Sequence, residues 1–366
     1  MNKQQKTVFV GLSGGVDSSV AALRLKEAGY QVVGVFIKVW HPEWLRCDWE
    51  AERLSAMRVA AHLSIPFLTC DAAAAYKQEV ADYFIQSYQD GLTPNPDILC
   101  NQHVKFGAFL QFATDHGADY VATGHYARRI EDGESGTDLQ YQLQRGVDQN
   151  KDQSYFLWTL TQPQLAKILL PVGRSSKDEI RREAAAAALP TASKKDSQGI
   201  CFLGHIDIKE FLAHYASLEP GVVRDENGNE IGEHEGALLY TLGQRHGFQI
   251  NTAQTATRPH YVVGKSREVN EIPVSPPPPH KPVGSTITLS QCNWISSSLP
   301  VGAPGSMLTC QAQFRYRQTP VSVAITDLTN KTATITLHET TDRPAAGQSC
   351  VLYDGMRCLG GGVVNC

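Results

Sequence analysis

Three stretches of this chain carry residue types that could do chemistry: GLSGGVDSS (11–19), TPNPDILCN (93–101) and KKDSQGICFLG (194–204). In the first, Gly14 and Gly15 let the backbone turn with its amides inward, and the helix start that follows adds partial positive charge. That is a cradle for an anion. Ser13, Ser18 and Ser19 add hydroxyls, and Asp17 is a candidate ligand for a divalent cation bridging phosphates. The loop has neither the lysine of a Walker A loop nor the GxGxxG spacing. In the second stretch, Pro94 and Pro96 remove two amide donors and push Thr93 and Asn95 towards extended conformations. It reads as a rigid loop directly before the helical pattern HVKFGAFLQFA (103–113), and the helix start can lower the pKa of Cys100. In the third, a flexible Ser-Gln-Gly context carries Cys201, with Lys194 and Lys195 placed to favour a thiolate. One cysteine on a rigid arm and one on a mobile arm suit a dithiol mechanism.

The elements that must hold these stretches can be read around them. KTVFVGL (6–12) is an apolar run of strand type, DSSVAALRLKEAG (17–29) a helix closing at Gly29, and QVVGVFI (31–37) a second strand completing a βαβ unit. The alternation continues: a helix near 50–63, a strand PFLTCD (66–71), helices over 75–88 and 103–116, and a strand DYVATGH (119–125). It predicts an α/β, Rossmann-like domain with a parallel sheet over 1–204, its ligand crevice at the carboxyl ends of the strands. There Gly124, in ATGH (122–125), permits close approach of an adenine or ribose.

From about residue 205, short strand-like runs recur between glycine-rich turns. They predict a small β-rich central domain over 205–280 and a β-barrel-like domain over 281–366. PVSPPPPHKPVG (273–284) reads as a stiff connector. In FRYRQ (314–318), strand alternation places Arg315 and Arg317 on one face and Tyr316 on the other. EDGESGTD (131–138) reads as a solvated hairpin loop.

The chain has 366 residues, 42% hydrophobic and 19% charged, so two or three domains are expected. Its net charge of −4 gives no basic field to announce nucleic acid. RNA contact would rest on local clusters such as Arg128–Arg129, Arg181–Arg182, Lys194–Lys195 and the pair Arg315, Arg317. No apolar run is long enough to span a bilayer, and the start MNKQQKT lacks the apolar core of a signal peptide. A cytoplasmic protein is expected. The nine cysteines are scattered, odd in number and without a CxxC pair. This argues against a secreted disulfide framework and against structural zinc, and most read as small buried hydrophobes.

The SGGVDS loop between strand and helix resembles the PP-loop of the N-type ATP pyrophosphatases, which split ATP between its α and β phosphates and transfer AMP to a substrate oxygen. Together with TPNPDILCN, ADYVATGHYARR, KDQSYFLWTL, KKDSQGICFLG, YTLGQRHG, FRYRQ and the terminal CLGGGVV, it makes the chain from 11 to 364 resemble the bacterial tRNA-specific 2-thiouridylases. The resemblance implies adenylation of the C2 oxygen of the wobble uridine and its replacement by sulfur, with ATP and Mg²⁺. It places ATP on Gly11, Leu12, Ser13, Gly14, Gly15, Val16, Asp17, Ser18, Ile37 and Gly124, with Asp17 at the metal. Asn95, Pro96 and Asp97 meet the target base. Lys151, Asp152, Gln153, Arg315 and Tyr316 contact tRNA. Cys201 is the persulfide carrier and Cys100 its nucleophilic partner, and the two join in a transient disulfide. Asp97 is the acid–base candidate for N3 or O2 of a flipped uracil. The implied partners are the Lys, Glu and Gln tRNAs and a persulfide donor or sulfur-relay protein.

The chain departs from that family's pattern at HGFQINTAQT (246–255), RPHY (258–261) and the PPPPH extension, all outside the nucleotide and cysteine motifs. Two other readings compete. Another PP-loop adenylating enzyme would need no cysteine pair. A tRNA-binding or sulfur-carrier protein would not need an intact SGGVDS.

Overall fold

The computed structural model describes residues 5–45, 49–132, 140–195, 208–251, 258–296 and 307–365. Its first seven strands are β1 (Thr7–Gly11), β2 (Gln31–Lys38), β3 (Phe67–Asp71), β4 (Tyr120–Ala122), β5 (Ala127–Asp132), β6 (Gln140–Arg145) and β7 (Ile168–Leu169). Five of them form a parallel sheet in the order β3-β2-β1-β4-β7. Residues of β1 alternate between two cores. Phe9 joins Val35, Val104, Phe106 and Phe109, while Val8 and Val10 join Val20, Ala56 and Val59 on the other face. A strand buried on both faces reads as an apolar run, as this one does. The helices α1 (Val16–Glu27) and α2 (Trp49–His62) cover the second face. A helical segment over residues 96–115 packs on the first.

That segment corrects the expected loop. The helix begins at Pro96, capped by Asn95, whose Oδ1 accepts from the amides of Asp97 and Ile98 at 3.1 and 3.3 Å. Proline is tolerated at the first helical position because its missing N–H had no partner to lose. Asp97 therefore lies on the first helical turn. Cys100 opens a π-helical stretch, Cys100–Ala108, rather than ending a loop.

The central domain pairs strands in the order Phe248–Ile250, Glu230–His234, Gly221–Arg224, Glu271–Ser275, Tyr261–Val262. Its core holds Val223, Ile231, Tyr240, Ile272 and Val274. The expectation of strands alone from 205 misses two short helical elements among the described residues, an α-helix at Ile208–Ala213 and a 3-10 turn at Ala237–Leu239. In the C-terminal domain, Thr286–Trp294 pairs with both Ala333–Leu337 and Arg357–Val364, which closes six strands into a barrel. The proline-rich connector is shorter than expected: Pro273 lies within the strand Glu271–Ser275, and His280–Lys281 pairs with Thr341–Asp342.

The hairpin β5–β6 belongs to the barrel's sheet, with Arg357 opposite Gln144 and Cys358 opposite Leu143. The two end domains are therefore joined by backbone pairing. Asn293 Nδ2 adds bonds to the carbonyls of Trp158 and Leu160 at 2.8 and 3.0 Å. All six described cysteines are buried. Burial pushes the thiols of Cys70 and Cys292 up to about 11 and those of Cys310 and Cys358 up to about 12, which leaves them inert at neutral pH. Among the described residues no helix is long and apolar enough to cross a membrane.

Candidate nucleotide and sulfur-transfer site

The glycine loop lies at the carboxyl end of β1, in the crevice of the sheet. Gly14 takes φ +69°, and a Cβ there would stand 2.8 Å from the Glu52 carbonyl oxygen. Only glycine fits both demands. Gly15 is the N-cap of α1, with no side chain among the described residues capping it. The first amides of α1 are thus left to an incoming anion. The helix Lys177–Ala186 shows the contrast, since Ser176 and Glu179 form a reciprocal capping box at its start. Ser18 Oγ and Ser19 Oγ donate to the Gly15 carbonyl at 3.2 and 2.7 Å, and Ser13 and Ser18 hydroxyls stand 3.3 Å apart. Leu12 and Val16 are core residues that anchor the loop at either end.

Gly11, Ile37 and Gly124 lie around this loop. A Cβ on Gly11 would touch Ile37 Cδ1 at 3.5 Å. At Gly124 the close neighbour is the loop itself, because a Cβ would lie 2.7 Å from the Ser18 amide nitrogen and 2.8 Å from the Asp17 carbonyl carbon. The absent side chain lets the end of β4 press against the start of α1.

Asp17 is the residue that the sequence offers as a metal ligand. Its carboxylate here receives Lys177 Nζ at 2.7 and 2.8 Å and the Tyr126 hydroxyl at 2.7 Å. No spacing in the sequence points to Lys177 or Tyr126. The one local signal is the capping box, which fixes where the helix carrying Lys177 begins.

Asp97 and His125 respond to a common cation. Burial raises the Asp97 carboxyl above its ordinary range, and the Lys105 ammonium opposes that rise. Burial first and Lys105 second hold His125 well below its ordinary value, so it stands neutral with Nδ1 2.8 Å from Thr123 Oγ1. The Lys105 charge thus acts both on the helix that begins at Pro96 and on the segment that follows β4.

Cys100 is buried in the core cluster on that same face. Cys201 lies outside the described residues, so its pairing with Cys100 does too. Lys194, expected to favour a Cys201 thiolate, donates to the Gly14 carbonyl at 2.9 Å. This brings the Lys194 side chain against the glycine loop.

The expected tRNA contacts divide. Lys151 is half-buried and Gln153 pairs with Tyr126, its Oε1 accepting from the Tyr126 amide at 3.0 Å. Asp152 corrects the expectation, because it is buried and its carboxylate is taken up within the fold. It accepts from the Gly146 and Ser154 amides at 2.9 and 3.1 Å and pairs with Arg145 at 3.0 Å. Arg145 in turn lies over the Tyr353 ring at 3.5 Å and donates to Gln313 Oε1 at 3.2 Å.

The strand that leads into FRYRQ ends at Gln313, before it. Arg315, Tyr316 and Arg317 form a turn with Arg317 at φ +63°, so the expected alternation of faces fails. The Tyr316 ring lies 4.5 Å from that of Phe156, tilted by 49°, and Arg315 donates to the Leu242 carbonyl of the central domain at 2.9 Å.

A glycine loop at the first βα turn of a parallel sheet, in a chain that continues into two β domains, is the architecture of a PP-loop nucleotide-binding protein. Residues 6–205 match the family model described as the tRNA methyl transferase HUP domain. Residues 209–276 match the tRNA methyl transferase PRC-barrel domain, and 284–364 the aminomethyltransferase beta-barrel domain. Among curated relatives, tRNA-specific 2-thiouridylase MnmA 2 of Geobacillus kaustophilus is 43% identical over 371 residues, covering 100% of this chain and 96% of that protein. MnmA of Shouchella clausii is 43% identical and MnmA of Shigella dysenteriae 42%, each covering 100% of this chain and 98% of the relative. The chain belongs to the tRNA-specific 2-thiouridylase family. Its likeness to the solved U34-tRNA thiolase NcsA of Methanococcus maripaludis is slight, with TM-score 0.35 and 15% identity over 58% of this chain and 64% of that one, and carries no argument.

Proposed function

We propose that this chain is a tRNA 2-thiouridylase that adenylates the C2 oxygen of the wobble uridine and then exchanges that oxygen for sulfur, releasing AMP and pyrophosphate. The observation that carries this reading is the uncapped start of α1 at the SGGVDS loop, in a chain matched end to end by named thiouridylases.

ATP is the first substrate. Its phosphates take the amides of Gly14 to Ser18 and the hydroxyls of Ser13 and Ser18, with Leu12, Val16, Gly11, Ile37 and Gly124 forming the surrounding walls. Asp17 would hold Mg²⁺, an ion that keeps most of its waters and phosphate ligands, by giving up the Lys177 ammonium that its carboxylate now receives, and the ion would neutralise phosphate charge there. A uracil C2 carbonyl is a poor electrophile with a poor leaving group until it carries AMP. Asn95, Pro96 and Asp97 hold the extruded base. Asp97, kept protonated more readily by its burial, acts as acid–base at N3 or O2.

The outer sulfur of a Cys201 persulfide attacks C2 and AMP departs with the oxygen. The Cys100 thiolate then attacks the inner sulfur of Cys201. That S–S bond breaks with its electron pair left on the sulfur at C2, and a Cys100–Cys201 disulfide forms. In the other order, Cys100 first displaces hydrogen sulfide, which attacks C2. Lys151, Gln153, Arg315 and Tyr316 contact tRNA. The substrates are the Lys, Glu and Gln tRNAs, the sulfur comes from a persulfide donor or relay protein, and the setting is cytoplasmic.

Nucleoside mass spectrometry of tRNA incubated with the protein, ATP and a persulfide donor tests the reading. A gain of 2-thiouridine with matching AMP and pyrophosphate is expected. ATP cleavage without thiolated tRNA would sink it.

A further inference from the structure

A cavity of about 210 Å³ opens where all three domains meet, lined by Gly91, Thr93, Leu242, Lys265, Arg343 and Ala346 among others. Its chemistry is cationic against an apolar wall. Lys265 Nζ donates to the Tyr240 carbonyl at 3.1 Å. A Cβ on Gly91 would lie 3.8 Å from both Lys265 Cε and Arg267 Cδ, so the Arg267 stem runs beside the rim. The influences on the Lys265 amine are burial first and the Arg267 charge second, and together they lower it to about 8. Both disfavour its charge, and neither is a carboxylate. Asp90, next to Gly91, has its carboxylate turned to the Gln86 amide at 2.9 Å. Three cations gathered around a concave site call for a compact anion.

The position says which anion. Thr93, on the cavity wall, is the first residue of the segment leading to Asp97, and its amide donates to the Ala346 carbonyl at 2.9 Å. Thr93 Oγ1 lies 3.3 Å from Thr241 Oγ1 of the central domain. Four residues of chain reach at most about 14 Å, so the cavity stands within one or two nucleotides of the base loop. We propose that this cavity seats a phosphate group supplied by the tRNA backbone beside the target nucleotide, with Lys265 and Arg343 as its cationic contacts. The proposal rests on the tRNA-thiolating reading above.

The test uses Lys265→Gln and Arg343→Gln, made separately in the full chain. Equilibrium binding of unmodified tRNA is measured across a salt series, and binding of inorganic phosphate alone is measured by calorimetry. Each variant should bind tRNA several-fold more weakly, with the slope of log affinity against log salt reduced by roughly 0.7–0.9. ATP affinity should not move. Arg343 is exposed and tied to the fold through its backbone amide, so its variant folds even where loss of the Lys265–Tyr240 bond disturbs the central domain. Unchanged affinity and slope in Arg343→Gln overturn the seat. Phosphate binding that disappears in variants with intact tRNA affinity also overturns it, as a site for a free anion. A parent chain that makes 2-thiouridine while both variants match it overturns the seat alone, and a parent that makes none overturns the function.

Discussion

Lys177 and Asp17, 160 positions apart in sequence, close on one another so that Nζ meets both carboxylate oxygens, at 2.7 and 2.8 Å. The ammonium thereby stands at the glycine loop. Asp17→Ala should abolish tRNA-dependent pyrophosphate release. It should also cost roughly 1–3 kcal/mol of stability, because a buried ammonium loses its counter-charge. Pyrophosphate assays and denaturant melts read the two effects. Release at the parental rate would remove Asp17 from the site.

The two cysteines should fail at different steps. Cys201→Ser should lose the persulfide and all thiolation yet still release pyrophosphate in the presence of tRNA. Cys100→Ser should carry sulfur on Cys201 without delivering it. Reactive-sulfur labelling followed by peptide mapping locates the sulfur. Label on Cys100, with Cys201→Ser still active, reverses the roles; full activity in either variant ends the dithiol mechanism.

Asp97 gives a stability signature that runs opposite to most carboxylates. Its folded-state pKa lies above the ordinary 3.8, mainly through burial. Its contribution to stability is therefore full below 3.8 and is lost as the pH rises through the raised value. Asp97→Asn removes the ionisation and keeps the shape. The variant should melt higher than the parent at neutral pH, and the gap should close in acid, while thiolation is lost. A variant that melts lower at pH 7 and level in acid would contradict the burial argument.

Asp152 and Arg315 should separate in the salt series. Asp152→Ala strands the half-buried Arg145 guanidinium and should cost about 3–5 kcal/mol of stability, leaving the salt slope for tRNA as it was. Arg315→Ala should flatten that slope by roughly 0.7–0.9. The reverse pattern would return Asp152 to the RNA surface and make Arg315 a strut between domains.

What could be read in advance follows from how local each cause is. β1, the glycine loop and α1 were legible because an apolar strand, two glycines and a helix start follow one another within twenty or so residues. The start of the next site helix was hidden by its prolines, which usually break helices. The pair Asn95–Pro96 was the readable signal, as a cap followed by a first-turn proline. Nothing in the order of residues marks Cys100–Ala108 as π-helical. Lys177 at Asp17, Cys358 beside Leu143 and the burial of Asp152 all depend on partners far along the chain, and local pattern does not reach them. FRYRQ alternates well on paper, but the strand stops at Gln313 and the turn takes over.

The hairpin borrowed by the barrel has a bearing on synthesis. Leu143 and Gln144 acquire their neighbours Cys358 and Arg357 only after about 200 further residues have been translated. At about 5–20 residues per second that is a delay of roughly 10–40 s. During it, the nascent nucleotide domain presents a bare strand edge and an unsheltered apolar flank, the kind of surface on which chaperones act and polysome neighbours aggregate.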